Sequence, residues 1–514
     1  MPIRATKINN RTTSRKKKVF YNMGASVLYQ LLAVVSSLIL PRYFLSYFGS
    51  ETNGLVNSIT QFLSYIALLD LGVGAVFQSA LYKPLAQNDE KEINNVFCAG
   101  KLFYRRIGLL IVAYIVALAV VYPYLVIDSF DYFSTLFLVV AMSISSFAQY
   151  FLGLVYQTFL TADQKHYIQS NINSGTLVIN TVSSVILIRA GCSVQIVKFA
   201  TSCIFLLRPV LMKYYVDKNY NIDYSTKPTK DAIPQKWNGF AQHLAAVVLS
   251  NTDIAVLTIF SSLKNVSIYS VYYMVVSAIK QMISLVTSAV TPALGNMYGL
   301  NEKEKLRDIF EYFEWLIHAI SILLFTITAI LITPFVLVYT RGISDANYSV
   351  PVFGVLISAA FASSCLQLPY KILTQVVGHY RQTQNSSLIE AVINIILSVT
   401  MVFKFGLIGV AIGTLAAMLY RMLYLENYIQ KNIFMRKKRV FVKLILVDLV
   451  SVLSMIMSTS WINKTACNYF EWFILAIGVS VCCCICMGLI NLIFYNRQCK
   501  CLFTNTINRI RIRK

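Results

Sequence analysis

Residues 48–91 read FGSETNGLVNSITQFLSYIALLDLGVGAVFQSALYKPLAQNDEK, and this stretch decides how the whole chain is interpreted. It begins with a short polar turn at 48–55 that contains two glycines. A long apolar segment follows, with one acid, Asp70, near its middle, and the stretch ends in an amphipathic segment that carries Lys83 and Lys91. A pattern of this kind is typical of a membrane-spanning hairpin that emerges on a basic aqueous face.

The composition points to the same class of protein. Hydrophobic residues make up 57% of the 514 residues and charged residues only 13%, far from the balance of a soluble domain. Apolar runs of about 20 residues, each long enough to cross a bilayer as a helix, recur along the chain. The net charge of +23 would indicate nucleic acid in a soluble protein. Here membrane topology explains it, so we expect a polytopic membrane protein with no nucleic-acid partner.

Fourteen segments meet the length and hydropathy of a membrane span, which predicts an all-α polytopic membrane protein. The first follows a basic N-terminus, and it is too long for a cleaved signal peptide, so we interpret it as a retained span. The predicted spans are 21–46, 54–79, 107–126, 133–160, 169–188, 194–214, 239–262, 267–293, 313–338, 351–376, 385–403, 406–426, 441–461 and 472–494.

The distribution of lysine and arginine predicts the orientation. With the N-terminus in the cytoplasm, cytoplasmic segments hold 35 of the 45 basic residues and outer loops hold five. Cytoplasmic loops of membrane proteins carry such an excess of positive charge. Both termini are therefore predicted to be cytoplasmic.

The chain also repeats itself at an offset of 213 residues. His166 meets His379 at this offset, and Arg208 meets Arg421, without gaps. Six spans in each unit is an even number, so both units enter the membrane in the same direction, as in parallel-repeat transporters. The predicted organisation is a basic N-terminus at 1–19, an N-lobe at 20–215, a linker at 216–236, a C-lobe at 237–430, two C-terminal helices at 440–495 and a basic tail at 496–514.

The motifs in 48–91 resemble those of Wzx-type polysaccharide flippases, in the multidrug/oligosaccharidyl-lipid/polysaccharide (MOP) exporter superfamily. That family commonly carries F-G-x-x-x-x-G-L, then L-D-L-G-h-G with h hydrophobic, then L-A-x-x-D, and all three occur here in order. The resemblance implies six plus six plus two helices in a bacterial plasma membrane. It also implies that the cargo is a polyprenyl-pyrophosphate-linked oligosaccharide, carried to the outer leaflet for O-antigen, capsule or exopolysaccharide synthesis. Membrane lipids, the polysaccharide polymerase and other assembly proteins would be partners.

Charged residues inside predicted spans each need an explanation, because burying one in a bilayer costs about 2.5–3.5 kcal/mol on insertion scales. Arg42 and Asp70 lie in the N-lobe, and Asp253 and Lys280 lie at closely matched depths in the C-lobe. We expect Arg42–Asp253 and Asp70–Lys280 to pair across the lobes and to act in gating or coupling. The alternative is that each charge is satisfied within its own lobe.

Lys280 also belongs to a polar helix face. Ser277, Lys280 and Ser284 recur at helical spacing, and such a face in a membrane points at protein or water. A cation there suits an anionic ligand, and the resemblance implies a cationic lumen. We therefore expect Lys280, Ser277, Ser284, Arg42 and Lys198 to contact the cargo, although snorkelling to the interface is the favoured explanation for Lys198.

Glu390 and Asp448 also lie within spans and are candidates for ion coupling, with H+ and Na+ both left open. We expect no cofactor. The eleven cysteines show no metal-ligand spacing, so we also expect no metal site.

Three other functions compete with a flippase of lipid-linked oligosaccharides. Two of them, a multidrug exporter and a lipid II exporter, belong to the same superfamily as the flippases that the motifs resemble. The third alternative is an enzyme, a polytopic glycan polymerase or ligase. Such enzymes place catalytic residues in a large outer loop, whereas every predicted outer loop here is short. We therefore expect a transporter and not an enzyme.

Overall fold

The computed structural model describes residues 2–70, 73–229, 240–496, 498 and 499, and this part of the chain consists of helices and connecting loops, without strands. Most of the predicted basic tail at 496–514 lies outside the described residues. The all-α prediction is confirmed.

The polar turn at 48–55 separates the first two spans. A helical stretch, Pro2–Ser64, is interrupted at Gly49, where φ is 80° and ψ is 175°. This backbone conformation is open almost only to glycine. Gly49 therefore divides the stretch into α1 (2–48) and α2 (50–64), as the motif predicted.

The second span continues after α2 through a 3-10 turn, Tyr65–Asp70, into α3 (Val73–Gln87). The other helices follow in chain order: α4 (Glu90–Leu125), α5 (Tyr132–Ala162), α6 (His166–Arg189), α7 (Val194–Asn219), α8 (Phe240–Phe260), α9 (Leu263–Gly299), α10 (Lys303–Tyr339), α11 (Pro351–Val376), α12 (Tyr380–Phe405), α13 (Leu407–Phe434), α14 (Arg439–Ser458) and α15 (Tyr469–Phe494).

The described helices account for fourteen spans. Twelve apolar helical stretches are long enough to cross a membrane, and one of these contains both α1 and α2. The shorter apolar helix Leu244–Phe260 is the remaining span. Several helices are longer than predicted: α10 has 37 residues, or about 55 Å against a hydrocarbon core of about 30 Å. The hydropathy criterion did not include the charged residues at the ends of these helices.

Helix bounds in the two halves repeat at the predicted offset. Adding 213 to α4 gives 303–338, and α10 is Lys303–Tyr339. Adding 213 to α7 gives 407–432, and α13 is Leu407–Phe434. The repeat seen in scattered residues thus extends to whole helices.

The chain divides into two compact units, 1–259 and 260–514. In the first unit, α6 packs against α1 and α7, and α5 packs against α4 and α7. The first unit also includes α8, which the repeat assigns to the predicted C-lobe. Hydroxyls join it to α2: Ser58 Oγ lies 2.8 Å from Thr258 Oγ1, and Ser64 Oγ donates to Asn251 Oδ1 at 2.6 Å.

In the second unit, α12 and α13 lie in close contact because α13 carries glycines at the crossing. A Cβ on Gly409 would stand 2.3 Å from the carbonyl oxygen of Met401, and one on Gly413 would stand 2.5 Å from Ser398 Oγ. Small residues spaced by four allow backbones to approach in this way in membranes. The two C-terminal helices, α14 and α15, pack on each other and on α10.

The conformation at Gly49 leads to a stability prediction. Gly49→Ala should lower the free energy of unfolding by about 1–3 kcal/mol, because alanine is strained at this φ and ψ. Gly175→Ala is the matched control: a Cβ there meets nothing within 4 Å in the middle of α6, so it should be neutral or stabilising by up to about 1 kcal/mol. Thermal unfolding in detergent measures both, and equal effects would contradict this account of the turn.

Candidate functional site

Lys280 lies on α9, in the second unit. Its Nζ lies 5.3 Å from the ring centroid of Phe361, which is a cation–π distance. The two serines predicted to act with it bond to their own helix: Ser277 Oγ donates to the carbonyl of Met274 at 3.1 Å, and Ser284 Oγ donates to that of Lys280 at 2.9 Å. A hydroxyl has one hydrogen to donate. In this geometry, Lys280 is the donor on this face that an anion can use.

Lys280 is part of a larger ionic group. The carboxylate of Glu390 on α12 lies within electrostatic range of Arg421 on α13, Lys371 on α11 and Lys280 on α9. Arg421 Nε lies 3.7 Å from Glu390 Oε2. We call Lys280, Lys371, Glu390 and Arg421 the cationic cluster. With all four groups ionised, the cluster has three cations and one carboxylate and carries a net charge of +2.

Arg421 is the structural member of the cationic cluster. Its side chain is buried, and its Nη1 donates to the carbonyl of Thr383 at 3.0 Å and to the hydroxyl of Ser386. Together with Glu390, these contacts occupy several of the five N–H groups of the guanidinium. Arg421 therefore ties α13 to α12.

The two lysines of the cationic cluster have no close carboxylate partner. Among the described residues, no carboxylate oxygen lies within 4 Å of the Nζ of Lys280 or of Lys371. The Lys371 side chain is exposed and that of Lys280 is partly exposed. Both ammonium groups therefore retain hydrogens that an anionic ligand can accept.

The cationic cluster occurs in one half of the repeat. Subtracting 213 from Glu390, Lys371 and Lys280 gives Leu177, Thr158 and Ala67. Arg421 alone has a basic counterpart, Arg208, whose Nε donates to Thr176 Oγ1 at 2.8 Å. From the sequence, Arg421 was noted only as a match in the repeat, and Lys371 was not among the predicted site residues. The signal that could have identified them is a difference between equivalent positions of the repeat: Leu177 is apolar, whereas Glu390 is acidic.

The other predicted site residues lie in the first unit. Lys198 on α7 places its Nζ 4.4 Å from the ring centroid of Phe44 on α1. Arg42 is half-buried on α1, and Asp253 is buried on α8 beside Tyr65. The Arg42–Asp253 pair stays a prediction.

Asp70 ends the 3-10 turn that follows α2, and its side chain lies outside the described part of the structure. The Asp70–Lys280 pair therefore also stays a prediction. Of the predicted site residues, Lys280 and Glu390 are the two that the second unit brings into one cluster.

A comparison of the two equivalent arginines tests the role of Arg421. Arg421→Leu leaves Glu390 buried without its nearest cation, so the free energy of unfolding should fall by about 3–5 kcal/mol. Arg208→Leu, the matched control, removes a charge-assisted hydrogen bond to a hydroxyl but leaves no buried charge behind, so it should cost only about 1.5–3 kcal/mol. Thermal unfolding monitored by tryptophan fluorescence measures the difference. An equal loss in the two variants would contradict the assignment of a structural ion pair.

Neither a protein-family profile nor a curated protein sequence matches this chain. Solved structures do. The lipid II flippase MurJ in an inward closed conformation is 15% identical, with a TM-score of 0.67 over 93% of this chain and 99% of that chain. An inward-facing multidrug resistance MATE transporter of the MOP superfamily is 14% identical, with a TM-score of 0.61 over 80% of this chain and 98% of that chain. A mutant of the Vibrio cholerae MATE transporter VcmN is 13% identical, with a TM-score of 0.58 over 83% of this chain and 98% of that chain.

These neighbours are polytopic transporters and flippases and not enzymes. At such low identity, the similarity concerns the fold. The chain is a multi-pass membrane protein with the fold of the MOP superfamily transporters.

Proposed function

We propose that this chain flips polyprenyl-pyrophosphate-linked oligosaccharide units from the cytoplasmic to the outer leaflet of a bacterial plasma membrane. The units would supply synthesis of a surface polysaccharide such as O-antigen, capsule or exopolysaccharide. Both termini would be cytoplasmic, and a polysaccharide polymerase would receive the cargo. The observation that carries this proposal is the cationic cluster, with two lysines that retain hydrogens beside one buried carboxylate.

The chemistry of the cargo fits this cluster. A pyrophosphate has several negative oxygens and no hydrogens to donate at neutral pH, so it needs donors and positive charge inside the membrane. Lys280 and Lys371 would supply both. Glu390 would act as their counter-ion while the site is empty, and the phosphates would replace it when cargo binds. The two lysines would therefore change partner without either charge being left uncompensated.

The charge of this cluster bears differently on two alternative functions, multidrug export and lipid II export. A site with net positive charge repels cationic drugs, so the cluster disfavours a multidrug exporter. Lipid II carries the same pyrophosphate, and one structural neighbour is a lipid II flippase whose similarity covers 93% of this chain. Lipid II export is therefore the second candidate, and the cargo assay must separate the two.

The first test concerns the lysines. Each charge-assisted hydrogen bond contributes about 1.5–3 kcal/mol, so Lys280→Gln and Lys371→Gln should each reduce flipping about tenfold or more. Lys404→Gln is the matched control, because Lys404 is an exposed lysine at the C-terminal end of α12. The assay measures which leaflet holds the lipid-linked glycan, with an impermeant glycosidase on oriented vesicles from a deletion strain complemented by each variant.

The accumulated lipid identifies the cargo. Complete repeat units trapped on the cytoplasmic side without the protein, and released by wild type but not by the Lys280→Gln variant, are the expected result. Trapped lipid II would instead favour the second candidate. Units that reach the outer leaflet but stay unpolymerised would contradict flipping and point to a polymerase.

A further inference from the structure

A pocket of about 540 Å³ lies among three connections of the second unit. It is formed by the start of α9, the loop between α10 and α11, and the turn between α12 and α13. The charge distribution of the chain predicts that all three lie on the outer side of the membrane. Glu390 of the cationic cluster and Phe405 at the pocket are 15 residues apart on α12, or about 22 Å along the helix. The pocket is therefore separate from the cationic cluster.

Two buried tyrosines hold the loop between α10 and α11 against α9. The hydroxyl of Tyr348 in this loop lies 2.9 Å from Ser267 Oγ on α9. The hydroxyl of Tyr272, also on α9, donates to the carbonyl of Tyr348 at 2.8 Å and accepts from the N–H of Val350 at 3.3 Å. Asn347, the residue before Tyr348, therefore lines the pocket from an anchored loop.

The other two walls of the pocket are fixed by local backbone structure. Gly406 ends α12 with φ 53° and ψ −127°, and its N–H donates to the carbonyl of Val402 at 2.8 Å. Glycine adopts such a positive φ without the strain that a side chain would cause. At the start of α9, Ser262 Oγ accepts from the N–H of Asn265 at 3.2 Å, as an N-cap. The pocket is thus preformed, which lowers the entropic cost of binding a ligand.

The lining of the pocket combines hydrogen-bonding groups with one aromatic ring. Lys264 and Asp345 supply one charge of each sign, and Asn265 and Asn347 supply amides, which both donate and accept hydrogen bonds. Phe405 lies at the same pocket with 53% of its surface exposed, although aromatic rings gain much from being covered. Since the two charges cancel, this lining suits a polar ligand better than a simple ion.

Asn347 has a donor group available to such a ligand. Its Oδ1 accepts from the N–H of Ser349 at 2.9 Å, so its amide nitrogen carries the hydrogens that face other partners. Among the described residues, no group accepts a hydrogen bond from that nitrogen.

A carbohydrate matches these features of the pocket. Each sugar hydroxyl donates and accepts, as the amides of the lining do, and the C–H face of a sugar ring packs on an aromatic ring. The volume also lies within the range of ligand pockets, about 300–1,000 Å³.

We propose that this pocket binds sugar residues of a glycan, with Asn347 donating to sugar oxygens and Phe405 packing against the C–H face of a sugar ring. That the glycan belongs to the transported lipid rests on the proposed function, which would deliver it to this side of the membrane. Carbohydrate binding itself does not depend on transport and can be measured without it.

The test uses the full-length protein in lipid nanodiscs. The probes are oligosaccharides released by mild acid from the lipid-linked glycans of the host cell, so that they carry neither lipid nor phosphate. Saturation-transfer difference NMR measures their Kd, and wild type should bind them. Asn347→Asp should weaken binding about three- to tenfold, because it keeps the oxygen that accepts from Ser349 but removes the two amide hydrogens.

Asn463→Asp is the matched control for this substitution. Asn463 Oδ1 accepts from the N–H of Thr465 at 3.2 Å, which is the same two-residue contact, in the loop between α14 and α15 and outside the pocket. Its Kd should equal that of wild type.

The aromatic ring provides a second arm, which does not alter the anchored loop. Phe405→Leu should weaken binding about three- to tenfold. Phe403→Leu is its control, since Phe403 is also an exposed ring at the end of α12 but does not line the pocket. Absence of binding by the wild type, or equal Kd values in the pocket variants and their controls, would overturn the proposal.

The outcomes for this pocket and for the proposed function are distinguishable. Sugar binding that depends on Asn347 and Phe405, in a protein that does not flip lipid-linked glycans, would support the pocket and contradict the proposed function. Flipping by a protein that binds no free oligosaccharide would overturn the assignment of the pocket alone.

Discussion

A charge inside a bilayer must be compensated, and the second unit of this protein depends on that constraint. Its buried acids each lie against a basic side chain from another helix or loop, and among the described residues they are Glu314, Glu390, Glu426 and Asp448. Removing one partner would leave a buried charge, which costs far more than the pair contributes. These pairs therefore specify which helices pack together: α12 with α13 through Arg421, and α10 with α14 through His318.

The two ionic groups of the second unit differ in their balance of acidic and basic side chains. The cationic cluster has more cations than acids, so it suits an anionic ligand. The second group, in which His318 lies against Asp448 and Arg436 lies against Glu314 and Glu426, has more carboxylates than permanently charged cations among the described residues. Gly409 and Gly413 allow α12 and α13 to lie in close contact, and the same two helices carry Glu390 and Arg421. Packing and electrostatics thus act together on this pair.

Much of the fold could be predicted from the sequence because its signals are local. An apolar run of about 20 residues indicates a span wherever it occurs, and the turn at Gly49 follows from the conformational freedom of one residue. The ionic partners are not local. Glu390 and Arg421 are 31 positions apart, and His318 and Asp448 are 130 apart. Asp448 was noted as a candidate, but its partner His318 was not, since a lone histidine in an apolar helix carries no indication of what it faces.

The most direct test of the central claim is binding of the anionic lipid itself. Native mass spectrometry of the purified full-length protein would compare a polyprenyl pyrophosphate with the uncharged polyprenol of equal length. Wild type should bind the pyrophosphate in clear preference. The combined Lys280→Gln and Lys371→Gln variant should lose roughly a hundredfold of that preference, at about 1.4 kcal/mol for each tenfold change. An unchanged preference in the folded double variant would contradict the assignment of the cationic cluster as the site for the cargo.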